Sequence, residues 1–130
     1  REEDTLDCFV FHVVSSFSTR TTQDNVRRYL DSHVTPIEVL RSDLLAQRLA
    51  IAEARLDILV FPDVGMEAAT YLLAFGRLAK VQAVWWGHPT TTGLSSVDYF
   101  LSLDSEVEEA QDQYSEQLVR LEHVNTAPFT

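Results

Sequence analysis

Short apolar runs, separated by longer segments of helical character, restrict the fold of this chain more than any other feature of its sequence. Residues 8–14 (CFVFHVV) form a run of strand length, and residues 58–61 (ILVF) form a continuous apolar run. A continuous run suits a strand that is buried on both faces, as in a parallel sheet. Further strands are predicted at residues 37–40, 81–86, 98–103 and 118–121.

Helix signals fill the intervals between the first strands. Residues 21–24 (TTQD) match a capping box and precede a predicted helix over residues 24–34. Ser42 can cap a second helix. Four apolar residues recur at helical spacing along this second helix and are expected to form its inner stripe: Leu45, Leu49, Ala52 and Leu56.

Two more helices are predicted later in the chain. Residues 66–78 (MEAATYLLAFGRL) are apolar nearly all round and predict a buried helix. Ser105 and Glu108 match a second capping box, which would open a helix with Val107, Ala110 and Tyr114 on one face. The acidic stretch over residues 104–116 is interpreted as the solvated face of that helix.

Strands that alternate with helices indicate an α/β fold, here a Rossmann-like, mainly parallel sheet with flanking helices. The 130 residues are enough for one domain, so a single domain over 1–130 is predicted. Because the chain opens on Arg1 and its only methionine is Met66, we expect it to be part of a longer protein.

Charge and composition exclude several classes of partner. The net charge of −10 argues against a general grip on nucleic acid or on an anionic membrane. No apolar run approaches the roughly 18–20 residues that span a bilayer. Cys8 has no cysteine partner within the chain and there is no N-glycosylation sequon, which favours an intracellular, cytoplasmic or nuclear setting.

Two loops follow predicted strands, where open α/β sheets bind ligands. The first is residues 62–65 (PDVG), with Asp63 and Gly65 as candidate cleft residues, and the second is residues 87–93 (GHPTTTG). Gly87 would let a ligand approach the backbone closely, and Gly93 would permit a second sharp bend. Pro89 fixes the turn, and three threonines offer hydroxyls to a sugar or phosphate.

Simpler interpretations of these residues remain open. The second loop can be a tight connector, because glycine, proline and threonine all punctuate chains. His88 is in no metal-ligand spacing, so no metal site is predicted. Asp63 is either catalytic or the cap of the following helix, and the cap is favoured. Trp85 and Trp86 should point to opposite faces of their strand, one toward the core and one toward a cleft.

Five motifs in order resemble the catalytic region of the O-linked N-acetylglucosamine transferases, the SPINDLY-type glycosyltransferases. They are LDILVFPDVGM, the segment RLAKVQ, the tryptophan strand with GHPTTTG, then DYFLSLD, and finally EEAQDQYSEQLVRL. The resemblance covers residues 56–121 strongly, about half of the chain, and the residues before it only loosely. In the segment RLAKVQ the family's pattern RxAPxQ has lysine, Lys80, in place of its proline.

The resemblance implies a GT-B architecture of two Rossmann-like domains, of which this chain would be part of the first. It implies transfer of N-acetylglucosamine from UDP-GlcNAc to Ser/Thr hydroxyls of proteins, with inversion, and with no cofactor beyond the nucleotide-sugar donor. Upstream tetratricopeptide repeats and the second domain would be partners within the parent protein. The matching residues imply a donor-sugar site formed by Trp86, Gly87, His88 and Pro89, in a loop shaped by Thr91, Thr92 and Gly93.

The resemblance assigns no catalytic residue to this segment. The family's upstream histidine-bearing segment and its second domain, which binds the nucleotide, have no match in it. The isolated chain is therefore expected to be inactive, and its cut surface is expected to self-associate. Two alternatives stay open: a SPINDLY-type protein O-fucosyltransferase that uses GDP-fucose, and a non-catalytic α/β module that binds a protein partner.

Overall fold

The computed structural model describes residues 10–13, 28, 32, 37–40, 43–88 and 90–122. The chain divides into two compact units, Arg1–Asp43 and Leu44–Thr130. In the first unit, β1 (Val10–Val13) pairs in parallel with β2 (Ile37–Leu40). Most of the helix predicted over residues 24–34, with its capping box, lies outside the described residues. Arg28 and Ser32 are helical, and the Ser32 hydroxyl donates to the Arg28 carbonyl oxygen at 3.0 Å.

The second unit contains a four-stranded sheet in which every neighbouring pair is parallel. Its strands, in both chain order and sheet order, are β3 (Ile58–Phe61), β4 (Val81–Trp85), β5 (Tyr99–Leu103) and β6 (Gln117–Leu121). Helix α1 (Leu44–Glu53) packs against helix α2 (Ala68–Ala74). A 3-10 helix spans Glu108–Gln113. The predicted α/β fold with a mainly parallel sheet is confirmed.

The core of the second unit is formed by side chains from both its strands and its helices. Its largest fully buried apolar side chains come from β5, α1, α2 and β4: Phe100, Ile51, Leu73 and Val84. Parallel strands of this kind hold one another through slanted backbone ladders, and burial of their apolar side chains supplies most of the stabilisation.

β3 departs from its predicted burial on both faces. Its side chains alternate, with Leu59 and Phe61 buried and with Ile58 and Val60 exposed by 60% and 43%. Successive side chains of a strand point to opposite faces, and β3 is an edge strand of the four-stranded sheet. The continuous apolar run therefore predicted the strand correctly, but the prediction that both of its faces are buried is wrong.

The inner stripe predicted for α1 is also wrong. Leu45 and Leu49 are 67% and 55% exposed, whereas Gln47 and Ile51, on a different side of the helix, are buried. Apolar spacing identifies a helix that can bury one side, but a large part of any folded surface is apolar, so spacing alone does not decide which side is covered.

α2 is shorter and less buried than the sequence predicts. The helix begins at Ala68 rather than at Met66 and ends at Ala74, where the Gly76 N–H donates to the Leu73 carbonyl oxygen at 3.1 Å. Met66 and Phe75, which flank the helix, are 68% and 53% exposed. Such exposed apolar side chains are compatible with self-association, which stays a prediction.

The helix predicted after Ser105 forms as a 3-10 helix without the predicted capping box. Its N-cap is Val107, which is extended, 60% exposed and makes no side-chain cap. The Glu106 carboxylate instead accepts hydrogen bonds from the Ser102 and Tyr114 hydroxyls at 2.7 and 2.9 Å. Ala110 is buried as predicted, whereas Val107 does not share its buried face.

One buried side chain joins the segments that lead into β4 and β5. Gln82 has no exposed surface; its Oε1 accepts from the Leu78 N–H at 2.6 Å, and its Nε2 donates to two backbone carbonyls. The Gln82 N–H donates to Asp98, whose carboxylate also pairs with both terminal nitrogens of Arg77. The arginine and glutamine of the segment RLAKVQ are thus bound together through Asp98.

Lys80 lies at the entry of β4, at the opposite end of this strand from the candidate loops. It pairs with Asp57 at 2.6 Å, and the two residues immediately precede β4 and β3. Within the described part of the chain, no helix is long and apolar enough to cross a membrane. No group of three or more His, Cys, Asp or Glu side chains among those residues is placed to hold a metal ion.

Candidate functional site

The two loops predicted to carry the site meet at the carboxyl edge of the sheet. β3 and β4 are parallel neighbours, with Phe61 opposite Val84, so the loops that leave them emerge side by side. Gly65, in the first loop, has φ +96°, a conformation that side chains rarely adopt. A Cβ atom placed on Gly65 would lie 3.4 Å from the His88 ring, in the second loop. The backbone of one loop therefore packs on the imidazole of the other.

Gly87 holds the same two loops together in a second place. A Cβ atom on Gly87 would lie 2.5 Å from the Pro62 carbonyl oxygen, closer than real Cβ contacts allow. Gly87 is not among the glycines of positive φ, and its N–H donates to the Trp85 carbonyl oxygen at 2.8 Å. Glycine is needed here because of the close approach to another backbone, and not because of a left-handed conformation.

Gly93 ends the loop with the predicted bend. Its φ is +67°, and nothing lies within 4 Å of the place a Cβ atom would occupy. Glycine is favoured there by backbone conformation alone, since there is no steric crowding.

The two tryptophans do not point to opposite faces of a strand. β4 ends at Trp85, so Trp86 already belongs to the following turn, and the two ring centroids are 6.1 Å apart with planes tilted by 33°. Nε1 of Trp86 is buried and finds no hydrogen-bond acceptor among the described residues. Unpaired buried donors are uncommon in folded proteins, and each one asks for a structural or functional explanation.

The threonine part of the loop is bound by a buried carboxylate that the sequence analysis missed. Thr91 donates its hydroxyl to Glu116 Oε2 at 2.7 Å. Thr92 donates both its hydroxyl and its backbone N–H to Glu116 Oε1, the latter at 2.9 Å. Glu116 is only 2% exposed, so the interpretation of residues 104–116 as a solvated face fails at this position.

Both threonine hydroxyls also act as acceptors. The Thr91 oxygen accepts from the Ser115 N–H at 3.0 Å, and the Thr92 oxygen accepts from the Leu94 N–H at 3.1 Å. These hydroxyls therefore complete the loop itself, and the structure does not present them as unpaired groups for a ligand. The role predicted for them in a donor-sugar loop, and direct binding of a donor by either one, stay predictions.

The ionisation of Glu116 follows from the same contacts. Burial alone raises the pKa of this carboxyl, but the hydrogen bonds from Thr92 and Thr91 more than offset that effect, and the pKa lies below its ordinary value. Glu116 is therefore charged at neutral pH. One sequence signal could have singled out Glu116: it lies in QYSEQL, within the last motif of the resemblance. Had burial been suspected there, hydrogen-bond donors from another part of the chain would have been expected as well, because a buried charge needs partners.

The remaining predicted site residues differ in how firmly the structure places them. The side-chain cap predicted for Asp63 is absent: the N-cap of α2 is Glu67, and Asp63 contributes only its backbone carbonyl, which accepts from the Met66 N–H at 3.0 Å. Asp63 and His88 are half-buried at the carboxyl edge and Thr90 is exposed. Pro89 lies outside the described residues.

The candidate site therefore consists of a central segment held between two anchors. Gly87 is packed on the Pro62 backbone, and Thr91 and Thr92 are bound by Glu116. Glu116 immediately precedes β6, and its neighbour Gln117 donates to the Asp98 carbonyl oxygen at 2.9 Å. Between these anchors, the His88 ring packs on the first loop and Thr90 is exposed. Such a surface can orient a substrate.

Comparison with known proteins points to glycosyltransferases, although no protein-family model matches the chain. A stretch of 64 residues, 49% of the chain, is 36% identical to the UDP-glucose:protein N-beta-glucosyltransferase of Actinobacillus pleuropneumoniae. The matched stretch spans only 10% of that relative's length. A solved structure of a mutant O-GlcNAc transferase from Thermobaculum terrenum has a TM-score of 0.56 over 87% of this chain and 27% of its own, at 22% identity.

The two similarities support different statements. At 22% identity the structural match establishes the fold, an α/β arrangement shared with an O-GlcNAc transferase. The sequence match concerns half of the chain and a small part of a larger protein. The chain is thus similar in sequence to part of one glycosyltransferase and in fold to part of another.

Proposed function

We propose that this chain is part of the catalytic region of a nucleotide-sugar-dependent protein glycosyltransferase. The observation that carries the proposal is the 36% identity over 64 residues to a protein glycosyltransferase. The fold supports it, because the two candidate loops meet at the carboxyl edge of a parallel sheet, where such folds bind ligands. The chain would contribute to one wall of the donor site, and a second domain would contribute the other.

The physical role of this wall is to position the donor sugar. Glycosyl transfer builds negative charge on the leaving diphosphate, so the enzyme gains rate by holding reactants in line and by stabilising that charge. This chain carries a net charge of −10 and is poorly suited to hold a diphosphate by itself. The segment around His88 and Thr90 is suited to the uncharged sugar, because Thr90 is exposed and His88 is half-buried at this edge and both side chains can form hydrogen bonds.

For the donor and acceptor we propose UDP-GlcNAc and the hydroxyls of Ser and Thr in proteins, with inversion at the anomeric carbon. Support comes from the ordered motifs of residues 56–121. The named relative is a UDP-glucose:protein N-beta-glucosyltransferase, which makes UDP-glucose a competing donor. GDP-fucose remains the SPINDLY-type alternative. Cytoplasmic or nuclear location, upstream repeats and protein acceptors belong to this same proposal.

A comparison of the three donors, each tested separately, tests the assignment of donor and acceptor. The natural gene product containing this sequence would be incubated with UDP-GlcNAc, UDP-glucose and GDP-fucose in turn, and acceptor proteins would be analysed by mass spectrometry. The proposal predicts an N-acetylhexosamine added to Ser or Thr. A hexose on asparagine would correct the donor and acceptor while keeping the enzyme class. Absence of transfer from every donor would contradict the class itself.

A second candidate function is a non-catalytic α/β module that binds a protein. The observation that favours it is the internal use of the threonine hydroxyls, which leaves the loop well formed without any ligand. The two candidates differ in one measurement. Calorimetric titration of the gene product with nucleotide sugars gives saturable heats for the enzyme and none for the module.

A further inference from the structure

We propose that Glu116 is a positioning residue, which sets the place of the sugar-facing loop segment by binding its far end. This inference rests on the proposed function for its consequence in donor binding, but its structural part is independent of that function. The loop leaves β4 at Trp85, and its near end is fixed where Gly87 packs on the Pro62 backbone. A segment fixed at one end only would pivot, so its precision depends on the second anchor.

The second anchor is built as a charged acceptor surrounded by donors. Three hydrogen bonds from two consecutive residues of the loop converge on one carboxylate: the Thr91 hydroxyl, the Thr92 hydroxyl and the Thr92 N–H. Hydrogen bonds to an ionised acceptor are shorter and stronger than bonds between neutral groups. Because Glu116 is only 2% exposed, water competes little for these donors, and loss of the acceptor would leave them unpaired in the interior.

The anchor is itself fixed to the sheet. The Glu116 carbonyl oxygen accepts from Gln111 Nε2 at 2.9 Å, and Gln111 Oε1 accepts from the Leu118 N–H at 2.8 Å. Leu118 belongs to β6 and pairs with Phe100 of β5 in the parallel ladder. The loop is therefore connected to the sheet through two side chains, the carboxylate of Glu116 and the amide of Gln111.

The carboxylate must be ionised for this arrangement to work. A glutamine at the same position keeps the shape of the side chain but replaces one acceptor oxygen by an NH2 donor. If the NH2 group faces Thr92, the Thr92 N–H meets another donor and the loop has to move. If it faces Thr91, that hydroxyl has to turn away, toward Ser115 Oγ at 2.8 Å, and the anchor loses a bond to an ionised acceptor. Glu116→Gln is therefore a sharp variant, because it changes the bonding of the anchor and leaves its volume unchanged.

A matched control lies in the same acidic stretch. Glu109, in the 3-10 helix, is exposed, and Glu109→Gln removes the same charge without touching the loop. The first measurement is amide hydrogen exchange of the natural gene product without ligand. Glu116→Gln should accelerate exchange of residues 91–94 by on the order of tenfold or more, with Glu109→Gln unchanged. Equal exchange in both variants would overturn the anchor, whatever the function of the protein.

The second measurement separates positioning from stability. The affinities of each variant for the nucleotide sugar and for the nucleoside diphosphate alone would be compared by calorimetry. Positioning predicts that Glu116→Gln weakens nucleotide-sugar binding by about tenfold relative to the diphosphate, because only the sugar touches this loop. Partial unfolding lowers the number of binding sites but leaves the ratio of the two affinities, nucleotide sugar over diphosphate, unchanged. If that ratio is the same in folded Glu116→Gln as in the unsubstituted protein, the positioning role is contradicted.

Two further outcomes remain decisive. If Glu116→Gln does not fold, Thr91→Val removes one of the three bonds at equal volume and should give a smaller change of the same ratio. An unchanged ratio in Thr91→Val would overturn the inference in that case. If the unsubstituted protein binds no nucleotide sugar, the proposed function fails, while the exchange measurement still decides whether Glu116 anchors the loop.

Discussion

The close approach of Gly87 to the first loop makes a quantitative prediction about a single added methyl group. In Gly87→Ala the new Cβ atom would lie 2.5 Å from the Pro62 carbonyl oxygen, and this neighbour is backbone, which cannot rotate away. An ordinary contact of this kind is about 3.4 Å or longer, so the two loops would have to separate by roughly 0.9 Å. Overpacking of this kind typically costs about 1–3 kcal/mol of folding free energy.

The assay is urea unfolding of the chain followed by tryptophan fluorescence, with Gly76→Ala as the matched control. A Cβ atom on Gly76 meets its nearest atoms at 3.5–3.6 Å, which is ordinary contact, and Gly76 has no positive φ. A loss of about 1–3 kcal/mol corresponds to a midpoint lowered by roughly 1 M urea, whereas Gly76→Ala should change it by less than about 0.5 M. Equal midpoints for the two variants would refute the close-packing argument.

The same substitution also has a consequence for turnover. In the natural gene product, a displacement of the loop by nearly 1 Å is enough to lower kcat by about 100-fold if the loop positions the donor sugar. The predicted loss of rate for Gly87→Ala therefore exceeds what the loss of folded protein can explain. If kcat of Gly87→Ala falls only in proportion to the fraction of folded protein, this loop does not position the donor sugar.

Three further perturbations test other parts of the account. Gln82→Leu leaves buried backbone groups without partners and should cost at least about 2 kcal/mol in thermal unfolding, unlike a surface change. Lys80→Ala should leave the unfolding midpoint unchanged, because its ion pair with Asp57 is exposed on both sides. The hydrogen bond from Arg77 lowers the pKa of Asp98, and those from Thr92 and Thr91 outweigh burial and lower the pKa of Glu116. A carboxyl group whose pKa is lower in the folded than in the unfolded state stabilises the fold at any pH above its ordinary pKa, and this stabilisation is lost as the pH falls toward the folded-state pKa. The urea midpoint should therefore stay constant from pH 7 to about 5 and fall below about pH 4, and it should fall less steeply in Asp98→Asn.

Local sequence signals were sufficient for the order and type of the strands. The apolar runs at β3 and β4 and the run that includes β5 are short, are bounded by turn residues and fall where the structure has parallel strands. Strand identity depends on local side-chain character and could be predicted. Which face is covered depends on distant parts of the chain, and the sequence therefore did not reveal the exposure of Ile58 and Leu45.

The candidate site could be predicted only in part, for a related reason. The loops after β3 and β4 were identified because glycine and proline mark turns, and because strand order places ligands at the carboxyl edge. The contact between Gly65 and His88 and the bonds from the threonines to Glu116 join residues 23–25 positions apart. Spacing within one motif carries no information about such pairs. Glu116 in particular looked like one more acid in an acidic stretch, and only its burial distinguishes it.

A structure of the natural gene product with a bound nucleotide sugar would show directly whether the loop after β4 is a wall of the donor site. We expect the sugar ring to lie within van der Waals distance, about 4 Å, of residues 86–90, and Glu116 to bind the threonines behind them as it does here. A sugar bound in the same protein with residues 86–90 untouched would contradict this expectation.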